Sequence, residues 1–314
     1  MVAQIANGGE TQLNVDKVIV TIQGTYRLEG ALFSPFEKYK KYPGAILING
    51  SGKEATRDGM IPIARYMAEQ GFVTLCYDKR GTGKSEGRFE ATGVWDLVED
   101  VLRCLQFLLQ RPEVNQDQIV FVGYSEGARL AVLTNAKSPA QGLVLIVPTM
   151  ASFRETHERQ VEFSYGEMRK QADFDVTYEE FKEQQNDFIM SVLQSDSDTI
   201  QIEDHIIQAK WIREYDAYDV KNDLPKVQCP VLVITGEKDL LCPPENGETI
   251  EKMARGEVEH HVIQDMTHAL RKTDLPVDAS NTMAILARQW SENNPPEHAV
   301  FDIIKSWSAR NLNV

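Results

Sequence analysis

Apolar and polar positions change rhythm several times along the chain. From Val15 to Phe33 they alternate around Gly24 and Gly30 (VDKVIVTIQGTYRLEGALF), the two-residue period of a β-hairpin at the edge of a sheet. After Pro35 and a basic loop, GAILING is a short apolar run ending in glycine, the mark of a buried strand. Ile61 to Gln70 reads as a helix, with Pro62 in its first turn and Gly71 as its stop, and FVTLCYD follows as a second buried strand. Strand, helix, strand implies a parallel sheet. Val94, Leu97, Val98, Val101, Leu102, Leu105, Leu108 and Leu109 then form one helical face. QIVFVGY (118–124), a helix over 126–137 and LVLIV (143–147) continue the alternation to a sixth strand.

Beyond Pro148 the texture changes. Residues 151–228 hold one glycine, Gly166, and one late proline, Pro225. Their apolar residues recur at helical spacing: Phe181, Phe188 and Val192, then Ile202, Ile206, Trp211 and Tyr215. A block of helices inserted into the alternation is expected. The alternation resumes with PVLVITG (230–236), a helix over 244–254, the strand HHVIQ and one or two helices reaching Trp307. The expected organisation is therefore an α/β catalytic domain in two pieces, 1–150 and 229–314, with a helical cap or lid at 151–228.

Charge sharpens that division. The 314 residues carry 33 Lys/Arg and 47 Asp/Glu, a net of -14, which opposes binding to nucleic acid or an anionic membrane. Within 151–228 there are 9 Lys/Arg and 18 Asp/Glu, so the block holds -9 of the total. If those carboxylates line the mouth of a site beneath, anionic substrates are disfavoured. Cys76, Cys104, Cys229 and Cys242 are scattered, which points to buried filler and away from a disulfide framework or zinc site. The N-terminus, MVAQIANGGETQ, has no basic segment followed by an apolar run, and no stretch approaches 18 apolar residues, so the expectation is a reduced, cytoplasmic protein. Nothing in the sequence indicates an oligomer.

The sharpest chemical signal is Gly123-Tyr124-Ser125-Glu126-Gly127, a G-x-S-x-G in which an apolar strand runs directly into a helix. The glycines let strand and helix backbones approach, and the turn points the Ser125 hydroxyl outward from the C-terminal edge of the sheet. A serine hydroxyl is a weak nucleophile until a positioned base takes its proton. Of six histidines, His157 and His205 lie in the inserted block, His260 and His261 on a strand, and His298 before the last helix. His268, in DMTHAL, stands on a loop after a strand, where it can reach back over the sheet.

Asp239, after VLVITG, is the candidate carboxylate; Glu237 sits closer to the strand, and Asp265 is too near His268 in sequence to brace its ring. The order Ser125, Asp239, His268 is that of α/β hydrolases and not of chymotrypsin or subtilisin types. The N–H of Glu126 is one candidate oxyanion donor, and that of Ser51, in Asn49-Gly50-Ser51-Gly52, the second. Arg80-Gly81-Thr82-Gly83 lacks the spacing of a phosphate loop, and Arg80 reads as structural.

In these motifs the chain resembles the α/β-hydrolase superfamily, specifically bacterial serine esterases related to dienelactone-hydrolase-like and prolyl-oligopeptidase-like enzymes. Four segments carry the resemblance in order: INGSG, YDKRGTGKSEG, GYSEG, and TGEKD with MTHAL. It implies an α/β-hydrolase fold with a nucleophile at Ser125, an acid at Asp239, a base at His268 and oxyanion donors at Ser51 and Glu126. Asn49 stands where that group usually has histidine; its side chain can still hydrogen-bond and shape the loop, so the expectation is an oxyanion hole that is kept but can differ in geometry. The expected reaction is hydrolysis of a small-molecule carboxylic ester without metal or organic cofactor. A peptidase or amidase, a thioesterase or a carbon-carbon bond hydrolase would use the same residues, and a catalytically silent ligand-binding protein is the reading from another class.

Overall fold

The computed structural model describes residues 14–36, 40–292 and 295–312. The N-terminal segment on which the targeting expectation rests, and part of the basic loop after Pro35, lie outside the described residues. The alternating start of the chain forms β1 (Val15–Ile22) and β2 (Leu28–Pro35), paired antiparallel from Val15 opposite Pro35 to Ile22 opposite Leu28. Then follow β3 (Tyr42–Ile48), α1 (Ile61–Glu69), β4 (Val73–Tyr77), α2 (Val94–Leu109), β5 (Val114–Tyr124), α3 (Glu126–Asn135) and β6 (Gly142–Ile146).

Between β6 and the next strand of the main sheet come α4 (Phe153–Met168), α5 (Tyr178–Gln194), β7 (Ile200–Ile202), β8 (His205–Ile207) and α6 (Ala209–Ala217). The chain closes with β9 (Val231–Gly236), α7 (Glu245–Met253), β10 (Val258–Ile263), α8 (Thr282–Ser291) and α9 (His298–Asn311). The eight-stranded sheet has the order β1-β2-β4-β3-β5-β6-β9-β10, parallel from β4 to β10 and antiparallel only at β1 and β2. Among the described residues, no helix is long and apolar enough to cross a membrane.

The central strands read as unbroken apolar runs because helices cover both of their faces. Along β3, Ile46 and Ile48 enter a core shared with Val98, Val101 and Leu105 of α2 and with Leu130 and Leu133 of α3. Ala45 and Leu47, pointing the other way, pack with Ile63 and Met67 of α1 and Ile304 and Trp307 of α9. This two-sided burial fixes the register, since a one-residue slip would exchange the faces.

Residues 151–228 depart from an all-helical expectation at one place. Ile202 and Ile206, which looked like successive turns of a helix, lie in the two-stranded β7–β8 hairpin, both exposed. The segment IQIEDHII is rich in β-branched residues, and Glu203 adopts φ 50° at the turn, so alternation and turn chemistry override the coincidental four-residue spacing. The three helices pack through Phe153, Ile189, Val192, Ile212 and Tyr215 onto the α2–α3 core. α6 is bolted to the start of α2: Lys210 pairs with Asp96 at 2.7 Å, and Glu214 accepts from the Trp95 N–H at 3.0 Å. Arg80 is structural, gripping Asp100 through Nε (2.9 Å) and Nη2 (2.6 Å) in a buried bidentate pair.

Candidate active site

Four strand ends converge at one edge of the sheet. β5 runs into α3 through Ser125, whose φ of 55° and ψ of -117° lie outside ordinary strand or helix geometry. Only glycine permits this turn on either side. A Cβ on Gly123 would sit 2.3 Å from the Gly127 carbonyl oxygen, and one on Gly127 would sit 2.0 Å from the Ile48 carbonyl oxygen. The elbow therefore lifts the Ser125 hydroxyl clear of the sheet while α3 packs against β3.

His268, on the loop after β10, reaches back to Ser125: its Nε2 lies 3.0 Å from Oγ. Its Nδ1 lies 2.8 Å from Oδ2 of Asp239, on the loop after β9. The other oxygen of Asp239 accepts from the backbone N–H groups of Leu241 (3.0 Å) and Cys242 (2.9 Å), so both lone-pair regions are used and the carboxylate cannot rotate freely. Tyr124 donates its hydroxyl to the His268 carbonyl at 2.7 Å and clasps the histidine loop from below. Burial works against a charged His268, yet the Asp239 carboxylate outweighs it and holds the imidazole pKa well above the ordinary histidine value.

Glu237 and Asp265, the competing carboxylates, are spoken for elsewhere: Glu237 accepts from the Asp265 N–H, and Asp265 pairs with Lys238 at 2.7 Å. The other histidines also have separate settings. His260 meets Thr235, His261 meets Glu259, His157 stacks on Phe153, and His298 lies against Phe301, while His205 is exposed in the hairpin.

The loop after β3 abuts the elbow, so close that a Cβ on Gly50 would lie 3.3 Å from that of Ser125. Asn49 shapes it from both ends, accepting from the Gly50 N–H at 2.8 Å and donating to the Thr56 carbonyl at 2.5 Å. The N–H groups of Ser51 and of Glu126, the first residue of α3, find no acceptor among the described residues.

Sequence reasoning missed Lys79, which follows β4 and is almost fully buried. Its ammonium donates to the Gly50 carbonyl (2.5 Å) and to the Glu126 carboxylate (2.8 Å), and Trp211 of α6 donates to the other Glu126 oxygen at 2.7 Å. Lys79 thus ties the loop after β3 to the elbow, and Trp211 ties the elbow, through the same Glu126 carboxylate, to the inserted block. A lone lysine after an apolar strand carries no local sign of this role.

Ser125 and His268 open into a cavity of about 880 Å³, bounded also by Tyr124, Trp211, Tyr215 and Trp290. That is ample for a small organic molecule. The thiols offer no rival nucleophile outside it: burial pushes Cys76 up to about 12 and Cys229 to about 11, and drives Cys104 well above its usual value.

Comparison with known proteins gives the chain as a whole a set of relatives. The family described as serine aminopeptidase, S33, matches residues 43–273. A polyketide transferase of Aspergillus fumigatus is 30% identical over 129 residues, covering 38% of this chain and 44% of that protein. The esterase EstD of Thermotoga maritima is 27% identical over 128 residues, covering 39% of this chain and 31% of its own. The chain thus spans less than half the length of these first curated relatives. Among solved structures, Est1E from Butyrivibrio proteoclasticus with ferulic acid bound superposes with a TM-score of 0.65 at 17% identity, covering 94% of this chain and 100% of that one. That likeness is one of fold.

Proposed function

Because the chain belongs to the serine aminopeptidase S33 family and has the α/β-hydrolase fold, we propose that it is a serine hydrolase cleaving carboxylic esters through Ser125, His268 and Asp239. The observation that carries this reading is the buried relay from Ser125 Oγ to His268 Nε2 and from His268 Nδ1 to Asp239, opening on the cavity. His268 takes the Ser125 proton as Oγ attacks the ester carbonyl carbon, and Asp239 stabilises the imidazolium that forms. The Ser51 and Glu126 N–H groups, which find no acceptor among the described residues, receive the oxyanion of the tetrahedral intermediate. His268 then returns the proton to the departing alcohol oxygen, leaving an acyl-enzyme. Water, deprotonated by His268, attacks the acyl carbon, and collapse releases the acid and restores Ser125.

Residues 151–228 act as the lid, closing the cavity with aromatic side chains of α4 and α6. Ester cleavage is favoured over aminopeptidase action by the wall of the cavity. A peptide amino terminus needs an available, buried carboxylate; Glu126, the buried one in the cavity, is already held by Lys79 and Trp211, and the others that line it, Glu54, Asp58 and Glu292, are solvent-exposed.

A fluorophosphonate probe with peptide mapping tests the core of the reading. Labelling is expected at Ser125, absent in Ser125→Ala and sharply reduced in His268→Ala; a folded wild-type protein that stays unlabelled overturns it. Turnover of p-nitrophenyl esters in preference to aminoacyl p-nitroanilides supports the ester, and the opposite preference makes the protein a peptidase.

A further inference from the structure

The inserted block is acidic in composition, but the face it turns to the cavity is not. It contributes Thr156, Arg159, Gln160, Phe163, Trp211 and Tyr215, with no carboxylate among them. The expectation that its acidity repels anionic substrates therefore fails at its condition, because those carboxylates point elsewhere. The remaining acids around the cavity, Glu54, Asp58 and Glu292, are exposed, and Glu126 is locked in its buried pair.

Arg159, on α4, stands out against this wall. It is partly buried, and its one hydrogen bond among the described residues runs from Nη1 to the Leu241 carbonyl at 3.1 Å. Leu241 is also a donor to Asp239, so the guanidinium is anchored to the loop that braces His268. It forms no ion pair with a described residue. Glu155, on the first turn of the same helix, is engaged with the Ser152 N–H at 2.6 Å. A second guanidinium, Arg271, borders the same cavity from the histidine loop. A guanidinium has five N–H donors arranged to meet a carboxylate bidentately, and Arg159, on the wall of the cavity into which Ser125 opens, uses one of them among the described residues.

Building on the ester-hydrolase reading, we propose that Arg159 recognises a carboxylate on the substrate, so that the preferred substrates are acid-bearing esters. The acid can sit on either side of the scissile bond: on the acyl side in a half-ester of a dicarboxylic acid, or on the alcohol side in an ester of a hydroxy acid. Arg159 is a specificity-determining residue in this scheme and takes no part in the proton transfers.

Two matched pairs of compounds test it. On the acyl side, monomethyl adipate is compared with its terminal amide; on the alcohol side, the butyryl ester of 3-hydroxyphenylacetate with that of 3-hydroxyphenylacetamide. A charge-assisted hydrogen bond predicts that, in at least one pair, the acid has the higher kcat/KM by roughly tenfold or more, chiefly through KM. In Arg159→Gln that ratio falls towards one, and in Arg159→Lys, which keeps charge but loses the fork, it lies between. Arg154→Gln, which removes an exposed cation from the same helix, leaves the ratio unchanged.

Calorimetric binding of the same compounds to Ser125→Ala reads the preference independently of turnover. If the protein fails as a hydrolase but binds the acids selectively through Arg159, the reaction assigned above is wrong and the carboxylate site stands. An acid-to-amide ratio of one or less in both pairs, or a preference that survives Arg159→Gln, overturns the proposal while leaving hydrolysis intact.

Discussion

Lys79 offers the most demanding test of how the site is held together. Its side chain and that of Glu126 are 2% and 6% exposed, and their charged atoms are 2.8 Å apart. Lys79→Met keeps most of the side-chain volume but removes the charge and both hydrogen bonds. Glu126 is then a buried carboxylate with a single remaining donor, the Trp211 indole. Breaking a buried pair from one side costs about 3–5 kcal/mol, a large share of the roughly 5–15 kcal/mol that holds a folded protein together.

The double variant Lys79→Met/Glu126→Gln removes the stranded charge while leaving an amide oxygen for Trp211. It should recover most of the loss, to within about 1 kcal/mol of wild type, as expected when both members of a buried pair become neutral. Urea unfolding of the wild type and both variants measures this, with kcat for a p-nitrophenyl ester recorded alongside. Because the Gly50 carbonyl loses its donor in both variants, the adjacent Ser51 N–H is less well aimed. A complete oxyanion donor is worth about 10²–10³ in kcat, so a fall of up to about 10² should appear in both. A single variant within 1 kcal/mol of wild type, or a double variant no more stable than the single, refutes the energetic account. Unchanged kcat refutes the claim that Lys79 positions the Gly50–Ser51 loop.

Further predictions concern the relay and the elbow. For the base to act it must be neutral, so wild-type kcat/KM should fall as pH drops through the raised His268 pKa. Asp239→Asn removes the charge that raises it, shifting that acid limb to lower pH and cutting kcat by about 10⁴; a pH–rate profile with an unmoved limb would exclude this pairing. Gly127→Ala drives a Cβ to 2.0 Å from a backbone oxygen that has no room to retreat. It should cost at least about 1–3 kcal/mol in urea unfolding, and an unchanged midpoint would mean the elbow is looser than its geometry implies.

Hydrophobic period and a few punctuating residues were enough to predict the main sheet. The β1–β2 edge hairpin, α2 from Val94 to Leu109 and the strand-to-helix turn at Ser125 are all signalled by residues close together in the chain. The same holds for the candidate relay, because a strand followed by a loop locates Asp239 and His268 at one edge of a parallel sheet before any contact is known. Where local signals compete, the reading failed: Ile202 and Ile206 fit a helix by spacing, but the β-branched hairpin prevails.

Tertiary structure decided what no local pattern encodes. It separated Asp239 from Glu237 and Asp265 by giving each a different partner, and it buried Lys79 between Gly50 and Glu126, residues distant from it in the chain. It also decided what the charge of the inserted block means. The net of -9 belongs to the sequence, but which side chains face the cavity depends on how α4 and α6 pack, and packing turns Arg159 inward while the carboxylates stay outside. Composition sums charge over a segment; a substrate meets only the atoms that long-range contacts turn towards it.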